Sequence, residues 1–132
     1  MSGQTNLVTL LRTMTPILNP GEYVFCLLGE HLYPAPTDVI SSFQEAEGMT
    51  LIVRREAADR LGLPYSFVAA WLMLTVHSSL TAVGLTAAVA QALTNENISC
   101  NVVAAYYHDH LFVAQDDAGR TLAALERLAS NY

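Results

Sequence analysis

The stretch from residue 74 to residue 113 constrains the fold of this chain more than any other feature. It reads LTVHSSLTAVGLTAAVAQALTNENISCNVVAAYYHDHLFV. The β-branched and aromatic run at 67–76 predicts a strand, and the Ala-rich run at 82–93, with Leu85, Val89 and Leu93 four residues apart, predicts a helix. Two further apolar runs, 98–106 and 111–114, predict strands joined by a turn at 107–110. This order of elements is the first five-sixths of a βαββαβ module.

The residues before this stretch predict a similar order. Leu7, Leu10, Leu11 and Met14 recur at the spacing of one helix face, and the prolines that follow end the helix. The remaining predictions for this region are a strand over 22–28, a long irregular loop over 29–42, a strand over 49–53 and a helix over 54–61.

A last helix is predicted to begin near Asp116 and Asp117, whose carboxylates suit the positive end of a helix dipole. Its core-facing residues are predicted to be Leu122, Leu125, Leu128 and Ala129.

The element order therefore repeats, with helix, strand, strand and helix in each half and one strong strand between the halves. We expect an α+β fold of two ferredoxin-like (βαββαβ) halves, 1–65 and 66–132, with antiparallel sheets. A complete module needs four strands, and each half lacks one. Each must therefore take a strand from the other half or from a partner chain, and an unpaired strand edge would favour a homodimer.

Composition excludes several classes of function. Six basic residues face twelve acidic ones, which argues against general nucleic-acid binding. Residues 67–93 contain no charged side chain and are long enough to span a bilayer, but polar residues cluster at the centre of the stretch, and the pattern there changes from strand to helix. No secretory signal precedes the apolar runs, so we expect a cytoplasmic protein without a membrane partner. Cys26 and Cys100 are expected to be buried structural thiols, with a mutual disulfide as the alternative.

Four segments together resemble the ACT domain, a small-molecule sensor attached to many enzymes of amino-acid metabolism. They are GEYVF (21–25), EGMTLIV (47–53), HSSLTAVGLTAAVAQAL (77–93) and ISCNVVAAYYHDHLFV (98–113). Over almost its whole length the chain is similar to stand-alone bacterial tandem ACT-like proteins of uncharacterised function. The resemblance implies a non-catalytic regulatory protein that binds a small molecule, most simply an amino acid.

The resemblance also implies a site. In ACT domains the loop after the first strand enters the first helix through a glycine, which Gly84 matches, and backbone groups there hold the carboxylate and amine of the ligand. The acidic residue that the family usually has three positions earlier is Thr81 here, and the hydroxyls of Ser78 and Ser79 are the expected replacements. Asp109 matches an aspartate that faces ligand in paired ACT domains. The predicted ligand-binding residues are His77, Ser78, Ser79, Leu80, Val83, Gly84, Leu85, Thr86, Asn101, His108 and Asp109.

Structural roles compete at these positions. Gly84 could serve close packing of the helix, Ser78 and Ser79 could cap it, and Asp109 is a common turn residue. His108 and His110 could face a metal together, with His77 as a third ligand, but we expect no metal site and no cofactor. The alternatives to a sensor are an interaction dimer that binds no small molecule and a small transferase or hydrolase, although the GxSxG motif of one hydrolase class is absent.

Overall fold

A computed structural model describes residues 6–76 and 82–132. Its helices are α1 (Leu7–Thr13), α2 (Arg55–Leu61), α3 (Leu85–Asn95) and α4 (Ala118–Ser130). Its strands are β1 (Pro16–Leu18), β2 (Tyr23–Leu27), β3 (Val39–Glu45), β4 (Gly48–Arg54), β5 (Val68–Leu74), β6 (Cys100–Ala104) and β7 (Asp109–Ala114). Every strand pair whose register is described is antiparallel, which confirms the predicted α+β class.

The chain forms two compact units that do not follow a single cut in the sequence. The central unit is Pro20–Ala70, and the terminal unit combines the chain up to Asn19 with Trp71–Tyr132. The division therefore falls inside β5. The halves 1–65 and 66–132 remain a prediction.

In the central unit the hydrogen-bonded strand order is β3-β4-β2-β5. Successive side chains of a strand point to opposite faces of the sheet, and on one face Val24, Cys26, Leu51 and Val53 form a buried cluster. Helix α2 contributes Ala58 to this cluster and ends at Gly62, whose left-handed backbone (φ 71°) lets its N–H reach the carbonyls of Ala58 and Asp59. The α2 side of the sheet is thereby the core of the unit.

The connection between β2 and β3 differs from the prediction. Residues 29–42 were expected to be loop throughout, but β3 already begins at Val39, after a short 3-10 turn at Pro36–Asp38. This strand was missed because its sequence has no alternation of apolar and polar residues. It lies at the end of the strand order, and its burial pattern likewise does not alternate between buried and exposed positions.

In the terminal unit β1 pairs with β5, and the order continues through β7 to β6. In a βαββαβ module the fourth strand lies beside the first, followed by the third and then the second. Here β5, β6 and β7 are the first, second and third strands, so β1 takes the place of the missing fourth strand. It was not predicted from sequence, because a strand of three residues that begins with a proline carries no periodic signal. Pro16 is tolerated since it is the first residue of the strand. The prediction that strands are shared between the halves is confirmed.

The terminal unit has three helices that pack on one another, α1, α3 and α4. The buried face of α4 consists of Ala118, Thr121, Ala124 and Leu125. Of the predicted stripe, only Leu125 belongs to it, and Leu122, Leu128 and Ala129 are half-buried. Three of the four predicted residues are leucines, whereas three of the four buried residues are the smaller Ala118, Thr121 and Ala124. Among the described residues no helix has both the length and the apolar character needed to cross a bilayer.

The N-terminal helix is part of the core of the terminal unit, so truncating its buried side should be costly. Leu10→Ala should lower the free energy of unfolding by about 2–5 kcal/mol, because Leu10 is fully buried. Val8→Ala, on the 45% exposed side of the same helix, should cost less than about 1 kcal/mol. Urea unfolding followed by the fluorescence of Trp71, the sole tryptophan, measures both. Equal losses in the two variants would contradict this packing.

Candidate functional site

Six of the eleven predicted ligand-binding residues lie at one end of the sheet in the terminal unit. Strand β5 ends at Leu74, α3 begins at Leu85, and β6 ends at Ala104. In a β-α-β crossover the two strands run in the same direction, so the start of α3 and the turn after β6 lie at the same end of the sheet. Val83, Gly84, Leu85, Thr86, His108 and Asp109 all belong to this end. Asn101 does not, since it lies three residues before the end of β6.

Gly84 starts α3 in a conformation that favours glycine. Its φ of 101° and ψ of −18° place it in the left-handed region. A Cβ atom here would lie 3.0 Å from Cδ2 of Leu7, the first residue of α1. The sequence predicted a need for close approach at Gly84 but did not identify Leu7 as the neighbour, because the two residues are far apart in the chain.

The first turn of α3 has no side-chain cap among the described residues. Gly84 supplies its carbonyl, which accepts from Ala88 at 2.9 Å. Val83 is 83% exposed and Thr86 is exposed, whereas Leu85 is buried. The backbone N–H groups at the start of a helix attract negative charge when no side chain neutralises them. His77, Ser78, Ser79, Leu80 and Thr81 lie outside the described residues, and their predicted roles remain predictions.

The β6–β7 hairpin turns two residues earlier than predicted. The backbone N–H of Ala105 donates to the carbonyl of His108 at 3.0 Å, which closes the turn at 105–108. Asp109 and His110 therefore belong to β7, where they pair with Ala104 and Val103. The predicted turn at 107–110 is wrong, because backbone pairing outweighs the turn preference of Asp109. Asp109 is 7% exposed, so little of the residue is accessible to solvent.

Strand β5 adds a hydrogen bond that the sequence did not reveal. Nε1 of Trp71 donates to Nδ1 of His110 at 3.0 Å, and the Trp71 ring stacks on Phe112 with centroids 6.1 Å apart. Burial lowers the pKa of His110, the neighbouring His108 lowers it further, and Asp109 opposes both. Nδ1 of His108 is buried and has no hydrogen-bond partner among the described residues.

The described part of the chain contains possible metal ligands and two cysteines. No group of three or more His, Cys, Asp or Glu side chains there is placed to hold a metal ion. Cys26 and Cys100 are both free, with Cys26 buried and Cys100 half-buried. Burial raises the pKa of both thiols, that of Cys100 to about 11, so both are protonated at neutral pH and are weak nucleophiles.

Gly84→Ala should destabilise the protein more than Gly62→Ala. Both glycines have a positive φ, but a Cβ atom at Gly62 meets nothing within 4 Å, whereas one at Gly84 meets Leu7. Gly62→Ala should cost about 1–2 kcal/mol from backbone conformation alone, and Gly84→Ala should cost more. In a double-mutant cycle, Leu7→Ala should relieve part of the Gly84→Ala loss. Strict additivity of the two substitutions in urea unfolding would exclude the contact as the cause.

His110 should make the free energy of unfolding fall as the pH drops below about 6.5, the ordinary pKa of a histidine. Its pKa in the folded protein is below the usual value, so as the pH falls the unfolded chain binds a proton before the folded protein does. The contribution of neutral His110 to stability is thus fully present above its unfolded pKa and is lost as the pH falls towards the folded pKa. His110→Asn, whose side-chain oxygen can still accept from Trp71, should flatten the loss of unfolding free energy in this range.

His31→Asn is the matched control for this prediction, since His31 is exposed. It should leave the slope of unfolding free energy against pH close to that of the unchanged protein. An unchanged slope in His110→Asn would show that His110 is not the group responsible.

Comparison with known proteins agrees with this architecture. Two family models described as ACT domain match the chain, one over residues 2–70 and the other over 66–127. A protein of unknown function from Vibrio cholerae, described as a possible transport protein, is 44% identical, with 93% of this chain and 95% of that chain covered and a TM-score of 0.78. The comparison with curated proteins finds no match.

More distant structures share the fold. A protein from Agrobacterium tumefaciens is 18% identical, covering 88% of this chain and 89% of its own, with a TM-score of 0.68. The ligand-free regulatory subunit of aspartate kinase from Thermus thermophilus is 13% identical, covering 89% and 97%, with a TM-score of 0.62. With both of its halves matched by ACT models and a relative 44% identical over nearly its full length, the chain belongs to the ACT domain family and carries two such domains in tandem.

Proposed function

We propose that this protein is a non-catalytic regulator that reversibly binds a small metabolite, most simply an amino acid, at the end of the terminal-unit sheet where α3 begins. The observation that carries the proposal is the start of α3, where Gly84 adopts a left-handed backbone and no described side chain caps the helix. ACT family membership supports a regulatory role, and the fold shared with the regulatory subunit of an aspartate kinase is consistent with it.

Several of the predicted residues would have distinct parts in binding. The ligand carboxylate would accept hydrogen bonds from the first N–H groups of α3, with the exposed hydroxyl of Thr86 beside them. Ser78 and Ser79 would add hydroxyl donors. Asp109, which is 7% exposed, would attract the ligand ammonium group. Within a poorly hydrated site this attraction is stronger than in water.

The output of such binding would pass to another protein or to the assembly state of the chain. We propose that the protein is cytoplasmic and forms a homodimer. The dimer is supported by β3 and β6, which end the strand order among the described residues, so that each could pair with a further strand. Ligand binding could then bias the dimer through the β6–β7 turn, which lies at the end of one of these strands.

Thermal-shift measurements against the standard amino acids test the ligand, and Val83→Asp tests the site. Val83 is 83% exposed, so an added carboxylate should not disturb packing and should even favour the helix dipole of α3. It should nevertheless repel a ligand carboxylate from the same N–H groups. We expect an amino acid to raise the melting temperature of the unchanged protein, and Val83→Asp to abolish this rise without lowering the melting temperature of the free protein.

Val83→Asn is the matched control, because it adds a polar group of similar size without charge. It should retain most of the ligand-induced rise in melting temperature. If no amino acid stabilises the unchanged protein at millimolar concentration, the amino-acid assignment is wrong. If Val83→Asp is stabilised as strongly as Val83→Asn, the ligand binds elsewhere.

A further inference from the structure

Strand β3 of the central unit has one edge without a neighbouring strand. It ends the strand order, and its pairing in the described part of the chain is with β4. Proteins usually protect such an edge with a proline, a lysine, a bulge or a short strand. Val39–Glu45 has seven residues, none of them proline, lysine or arginine, and its irregularity lies at one end, between Val39 and Ser41. Residues 41–45 are in regular register and are therefore available to a further strand.

The side chains of this edge differ between the two faces of the sheet. Ser42 pairs with Leu51 of the buried cluster, so Ser42 and Gln44 lie on the face that α2 covers. Phe43 and Glu45 lie on the opposite face, because successive side chains of a strand alternate. All four side chains are exposed, and Phe43 is 72% exposed. The edge thus presents neutral polar groups on one face and an aromatic ring followed by a carboxylate on the other.

Phe43 is one end of an apolar row on the face opposite α2. Its partner in β4 is Thr50, and the partner of Thr50 in β2 is Leu27, which is 51% exposed. Leu27 lies over Gly48, where a Cβ atom would be 2.8 Å from Cδ1 of Leu27. At the other end of the row, the described residues place a strand on one side of the Phe43 ring only. A strand added to β3 would supply the second neighbour, and aromatic rings pair favourably with β-branched side chains across strands.

Glu45 gives this edge a negative charge that no cation among the described residues neutralises. Its Oε1 accepts from Oγ1 of Thr50 at 2.6 Å, which holds the carboxylate on the same face as Phe43. Each ion pair of the described arginines is made with another acid. The segment 28–53 contains four acidic residues and no lysine or arginine. The edge is therefore complementary to a basic side chain.

These features favour a different protein over a second copy of this chain. Two copies of β3 paired with each other would join strands that contain no lysine or arginine, so each Glu45 would remain without a cation. The net charge of −6 on each chain would also oppose the contact. The homodimer proposed above would then form through β6.

We propose that β3 binds an extended, basic segment of another protein, which adds to the sheet as a strand. The partner places an apolar, β-branched side chain beside Phe43 and, two positions along, a lysine or arginine beside Glu45. Small polar side chains of the partner lie beside Ser42 and Gln44. Backbone hydrogen bonds along residues 41–45 provide affinity, and the alternating side chains provide specificity. Binding at β3 needs no metabolite at the start of α3, so either proposal can fail without the other.

Amide-resolved NMR titration of the full-length protein with a synthetic peptide tests this surface. The probe is a blocked heptapeptide with lysine at both ends and threonine alternating with two valines between them, so that it reads the same in either direction. We expect saturable shifts of the amides of residues 41–45, and weaker binding as the salt concentration rises. Replacing both lysines by glutamate should abolish the shifts, because like charges would meet at Glu45. Replacing the central threonine by proline should also abolish them, because it removes a backbone donor.

Variants of the two side chains test the predicted contacts. Phe43→Ser and Glu45→Gln should each weaken binding of the lysine peptide about two- to fivefold, as expected for one cross-strand pair and one exposed ion pair. The matched controls are Ile17→Ser, at a 44% exposed position of β1, and Glu47→Gln, in the turn after β3. Both controls should retain binding, and a well-dispersed spectrum of each variant verifies its fold.

Several results would overturn the proposal. They are the absence of saturable shifts in β3, binding of the glutamate or proline peptide as tight as that of the lysine peptide, and unchanged affinity in either Phe43→Ser or Glu45→Gln. Protection of the β3 amides from hydrogen exchange that rises with the concentration of the free protein would show that a second copy occupies this edge, and would overturn it as well.

Discussion

The backbone hydrogen bonding of β5 is the constraint on which the rest of this structure depends. Ala69, Ala70, Leu72 and Leu74 are at most 1% exposed, so these four residues of the strand have almost no access to water. Each buried N–H or carbonyl left without a partner would cost about 1–3 kcal/mol. The first residues, Val68 and Ala69, pair with β2, and the last three pair with β1. One strand thereby serves as the closing strand of one module and the opening strand of the next.

This demand explains why the N-terminal segment belongs to the terminal unit. The pairing of β1 is extended at both ends, where the N–H of Asn19 donates to the carbonyl of Trp71 at 2.9 Å and the N–H of Thr75 donates to that of Thr15 at 3.0 Å. With β1 fixed in this way, α1 reaches the start of α3, and Leu7 contacts Gly84. The glycine at the proposed ligand site is therefore also a packing position, and its two roles can be separated only by variants that leave it unchanged.

Most of the arginine side chains join two elements of the structure. In a chain with twelve acidic and six basic residues, almost every arginine has a partner that ties two elements together, as Arg127 does with Glu96. Among the described residues the exception is Arg54, whose guanidinium lies over the Tyr23 ring.

The sequence by itself determined the type and order of most elements. The spacing of Leu7, Leu10, Leu11 and Met14, the run in β5 and the leucines and valine of α3 each predicted the element observed, because periodicity is a local property of the chain. Family resemblance also identified Gly84 from a local motif. Tertiary structure alone decided that Pro16–Leu18 is a strand, that small residues rather than leucines form most of the buried face of α4, and that Trp71 donates to His110. These features depend on partners tens of residues away, and the free energy that selects them arises only when distant backbone and side-chain groups leave water together.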